Sequence, residues 1–220
     1  MTLKIDIVSD VACPWCAVGI ASLERALDNL GRPQDVVLHF QPFELNPDMG
    51  PEGVDAIEYL TQKYGSTPAE QAVNRQRITD RGAEVGFAFH PDGRGRIHNT
   101  FQAHRLLHWA GTLPDGQAQH RLKLALLRAY QGRAENINTH PVLLACVAEA
   151  GLPEAEAQAV LDDATRYTHE VRERESFYQR AGIHSVPAFI INDQYLISGG
   201  QPPEVFEQAL RQIQAETTDA

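Results

Sequence analysis

The sequence predicts an α/β fold: one mixed sheet with helices on its faces, interrupted by a large all-α insertion. Three observations carry this. The first 45 residues or so read strand, helix, strand. Residues 185–214 read strand, strand, helix. Everything from 54 to 180 is helical in pattern. A parallel βαβ unit and an antiparallel ββα unit complete one another as a single sheet. The expected division is therefore a sheet domain of residues 1–53 and 181–220, with a helical insertion domain of residues 54–180.

Each element has its own signal. Leu3, Ile5, Ile7 and Val8 nearly alternate, as a strand does. From Pro14, apolar residues at Trp15, Val18, Ile20, Leu23, Ala26, Leu27 and Leu30 keep helical spacing, and Gly31 and Pro33 stop the helix. "VVLHFQPF" (36–43) is a second strand, and "LNPDMGPEG" (45–53) is a turn-rich break. Helices are expected over 54–64, 68–85, 98–111, 117–132, 139–150, 154–162 and 165–181. The loops "FHPDGRGR" (89–96) and "TLPDGQ" (112–117) fall among them. "SVPAFIIN" (185–192) and "YLISG" (195–199) form a hairpin across Asp193 and Gln194. "QPPEVFEQALRQIQ" (201–214) is a closing helix with prolines where a helix start tolerates them, and the tail ETTDA is expected to fray. The sequence shows no internal repeat and no low-complexity segment.

Composition narrows the function. The chain has 220 residues, 43% hydrophobic and 22% charged, with net charge -10. That acidity argues against a broad nucleic-acid or anionic-membrane surface, which needs clustered Lys and Arg. No apolar run approaches the ~20 residues of a membrane span. "MTLKIDIVSDVACPWC" has no basic segment before a long apolar stretch and no small-residue cleavage site. The expected address is the cytoplasm. Stable structural disulfides are rare there, and a C-x-x-C pair is more often catalytic or metal-binding.

Two of the three cysteines stand in "SDVACPWCAV" (9–18). With Cys13 at or just before the first helical residue, Pro14 occupies the first helical position, where its missing N–H costs nothing. The helix N-terminus then points N–H groups and positive partial charge at the Cys13 sulfur, favouring the thiolate. Cys16, one turn further in, is expected to be more buried. Cys13 reads as the attacking thiol and Cys16 as the resolving one. Two alternatives stand beside this. Zinc needs further ligands at suitable spacing, and only Cys146 and scattered histidines remain. Core packing by two small hydrophobes does not explain a Pro-Trp spacer at a helix start. Val186-Pro187 is the second informative site. A proline opening a strand removes a ladder donor, so it is either an ordinary trans strand start or a cis proline shaping a site.

These features together resemble the thioredoxin fold, and the helical insertion resembles its DsbA-like branch. "SDVACPWC", "FQPFELNPDM", "NTFQAHRLLHWA", "LLRAYQ", "SVPAFIIN" and "ISGGQPPEVF" are similar to the FrnE-type proteins of that branch, described as 2-hydroxychromene-2-carboxylate isomerase/DsbA-like proteins. The resemblance spans nearly the whole chain. It implies that Cys13 is the nucleophile, Cys16 the resolving cysteine and Pro187 a cis proline. Val186 would offer its backbone to an extended substrate, and Pro14 and Trp15 would tune the pair. DsbA itself has a histidine where Trp15 stands, so strongly oxidising behaviour is not carried over. Nor is any second cysteine site, since the C-terminal region has none. In this branch the segment 99–110 faces the active-site groove, making Asn99 and His104 candidate lining residues. The alternative is that Asn99 caps a helix and His104 is an ordinary helix residue. Cys146 reads as core. His39, His90, His98, His108, His120, His140, His169 and His184 show no ligand spacing, with His184 near the rim of the expected site.

The expected function is a thiol–disulfide oxidoreductase acting on a disulfide- or dithiol-containing protein or small molecule. No metal or cofactor is expected. Glutathione is a candidate redox partner, and a homodimer is a candidate assembly because dimers occur among relatives. The second reading is a glutathione-dependent isomerase or transferase of the kappa/chromene-carboxylate isomerase type. Those relatives typically keep a serine where Cys13 stands and lack a resolving thiol. The third is a binding or chaperone-like module.

Overall fold

The structure, a computed structural model, describes residues 3–31 and 36–218. Pro33, expected to help stop the first helix, and the last two residues of the tail lie outside the described residues.

The chain opens with β1 (Leu3–Ser9), α1 (Pro14–Asn29) and β2 (Val36–Pro42). It closes with β5 (Ala188–Ile191), β6 (Tyr195–Ser198) and α9 (Pro203–Thr218). These strands form one four-stranded mixed sheet in the order β2-β1-β5-β6. β1 runs parallel to β2 and antiparallel to β5, and β5 is antiparallel to β6. In this register Ile7 lies between Phe40 and Phe189. β1 is flanked by strands on both edges, which is why it carries a near-continuous apolar run. The prediction of an α/β thioredoxin fold, a βαβ…ββα mixed sheet with a large all-α insertion, holds.

Between the two halves come β3 (Val54–Asp55), α2 (Ala56–Tyr64), α3 (Pro68–Glu84) and β4 (Arg96–Ile97). They are followed by α4 (Phe101–Thr112), α5 (Ala118–Leu127), α6 (His140–Glu149), α7 (Glu154–Asp162) and α8 (Thr168–Arg180). α3 packs on α1, while α4, α5 and α8 each pack on β2. One hydrophobic core runs without a break from Ile5, Ile7 and Phe189 in the sheet to Leu106, Trp109, Leu122 and Val160 in the helices. A smaller cluster of Val8, Phe43, Tyr178, Ile183 and Ala188 lies where α8 meets the sheet.

Two local differences from the sequence expectation matter. The helix expected from residue 54 starts at Ala56. Val54 and Asp55 instead pair with Ile97 and Arg96 in a short two-stranded ladder, and Asp55 caps α2 by accepting from the N–H groups of Ile57 and Glu58. A pairing partner so distant in sequence leaves no local trace. Second, the helix expected over 117–132 loosens into a π-helical turn at Arg128–Gly132. Such turns often mark functional sites, and this one sends Gln131 to the Val11 carbonyl, two residues before Cys13, and Tyr130 to the Arg96 carbonyl and the His98 N–H.

Candidate active site

Cys13 is the residue immediately before α1, in extended conformation (φ -91°, ψ 113°), and Pro14 begins the helix. The placement follows from the sequence: proline at the first helical position needs no partner for its absent N–H. Cys13 is 5% exposed and Cys16 fully buried, and both are free thiols. The Cys16 N–H donates to the Cys13 carbonyl at 3.1 Å, and the Cys13 N–H donates to the Asp10 carbonyl at 3.2 Å. The hydrogen bond from Cys16 holds the Cys13 thiol below its ordinary value, aided by the Cys16 N–H and by Arg94, against burial and the Asp10 charge. Burial pushes Cys16 the opposite way, well above its ordinary value, and its hydrogen bond to Cys13 adds to this. Two thiols one turn apart are thus driven apart in acidity.

Val186-Pro187 takes the cis form and closes the other side. Cys13 Sγ lies 3.6 Å from the Val186 carbonyl, and the Gly199 N–H donates to the Pro187 carbonyl at 2.8 Å. Two glycines allow this close approach. A Cβ on Gly19 would lie 3.1 Å from both the Pro187 ring and the Phe189 ring. One on Gly200 would meet the Trp15 carbonyl at 3.0 Å and the Trp15 ring at 3.1 Å. Pro14 and Trp15 are partly exposed, and the Arg77 guanidinium of α3 sits 5.4 Å from the Trp15 ring centroid.

Beneath the dithiol lies a buried polar cluster. Asp10 is fully buried, accepting from the Ala12 N–H at 3.0 Å and the Leu45 N–H at 2.7 Å, with His104 Nε2 at 3.5 Å. Burial works to raise its pKa, but His104 and the two N–H groups outweigh it and the carboxyl is lowered. Lys123 of α5 is also fully buried, with Nζ 3.5 Å from the Ser9 carbonyl and 6.0 Å from the Phe40 ring centroid. Burial lowers its pKa, and the charges of Cys16, Asp10 and Cys13 oppose that. From the π-helical turn, Gln131 donates to the Val11 carbonyl at 2.7 Å. Arg94 Nη1 donates to the Ala12 carbonyl. The carbonyls of residues 9, 11 and 12 are each met by a side chain from the helical segment.

The remaining expected residues divide. Asn99 precedes the Thr100 cap of α4: its side-chain oxygen accepts from the Phe101 N–H at 2.8 Å, and its amide donates to the Pro47 carbonyl at 3.3 Å. His104 is buried against Asp10 rather than standing open. The cavity it borders, about 230 Å³ between β2, α4 and α8, is lined by neither Cys13 nor Pro187. Cys146 is fully buried in α6, and His184 is exposed. Among the described residues no cluster of three His, Cys, Asp or Glu could hold a metal, and no helix is long and apolar enough to cross a membrane. Asp10, Lys123, Arg94, Gln131, Gly19 and Gly200 were not singled out from the sequence. Asp10, three residues before Cys13, and Arg94, set between Gly93 and Gly95, carried some local signal; Lys123 carried none.

The family model described as DSBA-like thioredoxin domain matches residues 4–211. The curated Bacillus subtilis protein YwbO is 28% identical over 96% of both chains. A crystal structure of a probable DsbA oxidoreductase from Streptomyces coelicolor superposes with a TM-score of 0.87 at 34% identity, covering 97% of this chain and 91% of that one. The structure of the cytosolic disulfide reductase DsbM from Pseudomonas aeruginosa with GSH shares the fold with a TM-score of 0.67 at 18% identity, covering 96% of this chain and 99% of that one. With the match extending from β1 into α9, the chain belongs to the DSBA-like thioredoxin domain family.

Proposed function

We propose that the protein is a thiol–disulfide oxidoreductase working through Cys13 and Cys16. The observation that carries this is the placement of two free thiols one turn apart at the start of α1, with Cys13 Sγ 3.6 Å from the carbonyl before the cis Pro187; the hydrogen bond from Cys16 lowers the Cys13 thiol while burial raises Cys16. A nucleophile needs its thiolate near neutral pH, while a resolving thiol must stay protonated until called on. The Cys13 thiolate attacks one sulfur of a substrate disulfide; a mixed disulfide forms and the other substrate sulfur leaves as a thiolate, taking up a proton. Cys16 then loses its proton and attacks Cys13 Sγ. The Cys13–Cys16 disulfide forms and the second substrate thiol departs, so the substrate gains two electrons and the dithiol loses two. Run backwards, the same steps oxidise a substrate dithiol. The buried Lys123 ammonium behind Cys16 favours the thiolate that Cys16 must become. Pro14, Trp15, Val186 and Pro187 line the approach to Cys13, and the Val186 backbone suits an extended disulfide-bearing segment.

Glutathione, present in the DsbM structure, is the small-molecule partner we propose, in a cytoplasmic setting. The glutathione-dependent isomerase reading is disfavoured by Cys16, which that chemistry does not need. The test is a titration of the couple in glutathione redox buffers with thiol alkylation, using Cys16→Ser as control. The expected result is a two-electron transition in the parent protein and a stable mixed disulfide in the variant. A parent protein that forms only a glutathione adduct on Cys13, with no intramolecular disulfide, would overturn the proposal and favour the isomerase.

A further inference from the structure

The Pro14-Trp15 spacer brings no basic group to Cys13, and α1 starts with no side-chain hydrogen bond at its cap. The nearby Asp10 charge works against a thiolate there. A cation arrives from far along the chain. Gly93 (φ +75°) and Gly95 (φ +69°) flank Arg94 in left-handed conformations that glycine adopts without strain. Arg94 donates from Nη1 to the Ala12 carbonyl, one residue before the nucleophile. Its guanidinium lies 5.7 Å from the Tyr130 ring centroid. That ring is fixed in turn: the Tyr130 hydroxyl donates to the Arg96 carbonyl at 2.9 Å and accepts from the His98 N–H at 3.0 Å. The charged and titratable groups acting on Cys13 are Cys16, Asp10 and Arg94, with Lys123 behind Cys16. Arg94 is the one of them brought from the helical segment by the loop between α3 and β4, onto the Ala12 carbonyl.

We propose that Arg94 is a positioning residue for the Cys13 thiolate, supplying from the helical segment the positive charge that the Pro14-Trp15 spacer lacks and offsetting Asp10. The inference rests on the dithiol reading. The guanidinium acts through the Ala12–Cys13 peptide it grips and through its field at Cys13 Sγ; it makes no covalent step of its own. Its planar fork on a carbonyl and an aromatic face suits Arg better than Lys.

The experiment is a pH titration of thiolate absorbance in Cys16→Ser protein, where Cys13 is the one titrating site thiol, with Arg94→Gln and Arg94→Lys added separately. Glutamine keeps a donor for the Ala12 carbonyl and removes the charge; lysine keeps the charge. Arg94→Gln is expected to raise the Cys13 midpoint by about one pKa unit, a tenfold loss of thiolate below the midpoint. Arg94→Lys should recover most of that. In the intact dithiol, Arg94→Gln should raise the equilibrium constant for oxidation by glutathione disulfide about tenfold, a couple about 30 mV more reducing. A midpoint unchanged in Arg94→Gln overturns the proposal, as does a shift equally large in Arg94→Lys. Failure of the dithiol reading shows elsewhere: the parent protein would form no intramolecular disulfide, while the Cys13 midpoints would still decide the role of Arg94.

Discussion

Cys13 and Cys146 are both buried, yet they titrate in opposite directions. Cys146 sits in α6, and burial pushes it up to about 12, with Glu149 adding to the rise. Cys13 is held below its ordinary value by Cys16, despite its burial. The carboxylates repeat the contrast. Asp10, fully buried in the dithiol loop, is lowered because His104 and two N–H groups outweigh desolvation. Glu44, just beyond β2, is raised to about 7 by burial and by the Glu175 charge, although Arg172 lies 2.9 Å away. Burial disfavours a charge everywhere, and only directed donors and opposite charges reverse that. Around Cys13 and Asp10 they prevail; at Cys146 the Arg133 and Arg128 charges do not outweigh burial and the Glu149 charge.

The largest test of the contrast is chemical. Cys13→Ser should reduce insulin-disulfide reduction to the uncatalysed background, while Cys146→Ser leaves turnover within about twofold, since a buried thiol raised this far is inert. Intact-mass analysis after brief native alkylation should find Cys13 modified and Cys146 untouched. Next in size is the pH dependence of stability. Glu44 has a folded value of about 7 against an ordinary 4.5. The folded protein therefore binds its proton more tightly, and the associated stability is present below about pH 4.5 and is lost as pH rises to about 7. The loss should be about 2 kcal/mol after allowing for screening. Glu44→Gln should flatten that slope in denaturant unfolding at a series of pH values; a slope unchanged in the variant would assign the dependence elsewhere.

A smaller effect is expected at Lys123. Lys123→Met removes the ammonium behind Cys16 and should lengthen the life of the Cys13 mixed disulfide about tenfold, one pKa unit of lost support for the attacking thiolate, measured by quenched-flow alkylation. The smallest is Asp10→Asn, which keeps an acceptor for the Ala12 N–H and removes a charge that opposes the thiolate. The Cys13 midpoint should fall by about half a unit, roughly threefold more thiolate below the midpoint. A rise would mean that Asp10 matters more for holding the loop than for its charge.

Much of the fold was legible because its signals are local. Alternation in Leu3–Val8, the stop at Gly31, the hairpin at Asp193-Gln194 and prolines at helix starts each depend on neighbours a few residues away. The short β3–β4 ladder and the π-helical turn at Arg128–Gly132 were not legible. The first needs a partner 41 to 43 residues off, and the second is a small departure from a pattern that still reads as helix. The site divides the same way. Cys13, Pro14, Trp15 and Cys16 stand together in the sequence, and Val186-Pro187 announces itself by a proline at a strand start. Asn99 bonds to the Phe101 N–H from just before the Thr100 cap, and His104 is buried against Asp10.

By itself, the sequence determined the mixed sheet, its helical insertion and the position of a dithiol at a helix start, because periodicity, turn chemistry and helix-end preferences act over a few residues. Only the tertiary structure decided the electrostatics of that dithiol. Arg94 meets the Ala12 carbonyl across 82 positions, Lys123 approaches Ser9 across 114 and Gln131 reaches Val11 across 120. Charge interactions depend on distance and burial in space, and no spacing along the chain encodes either.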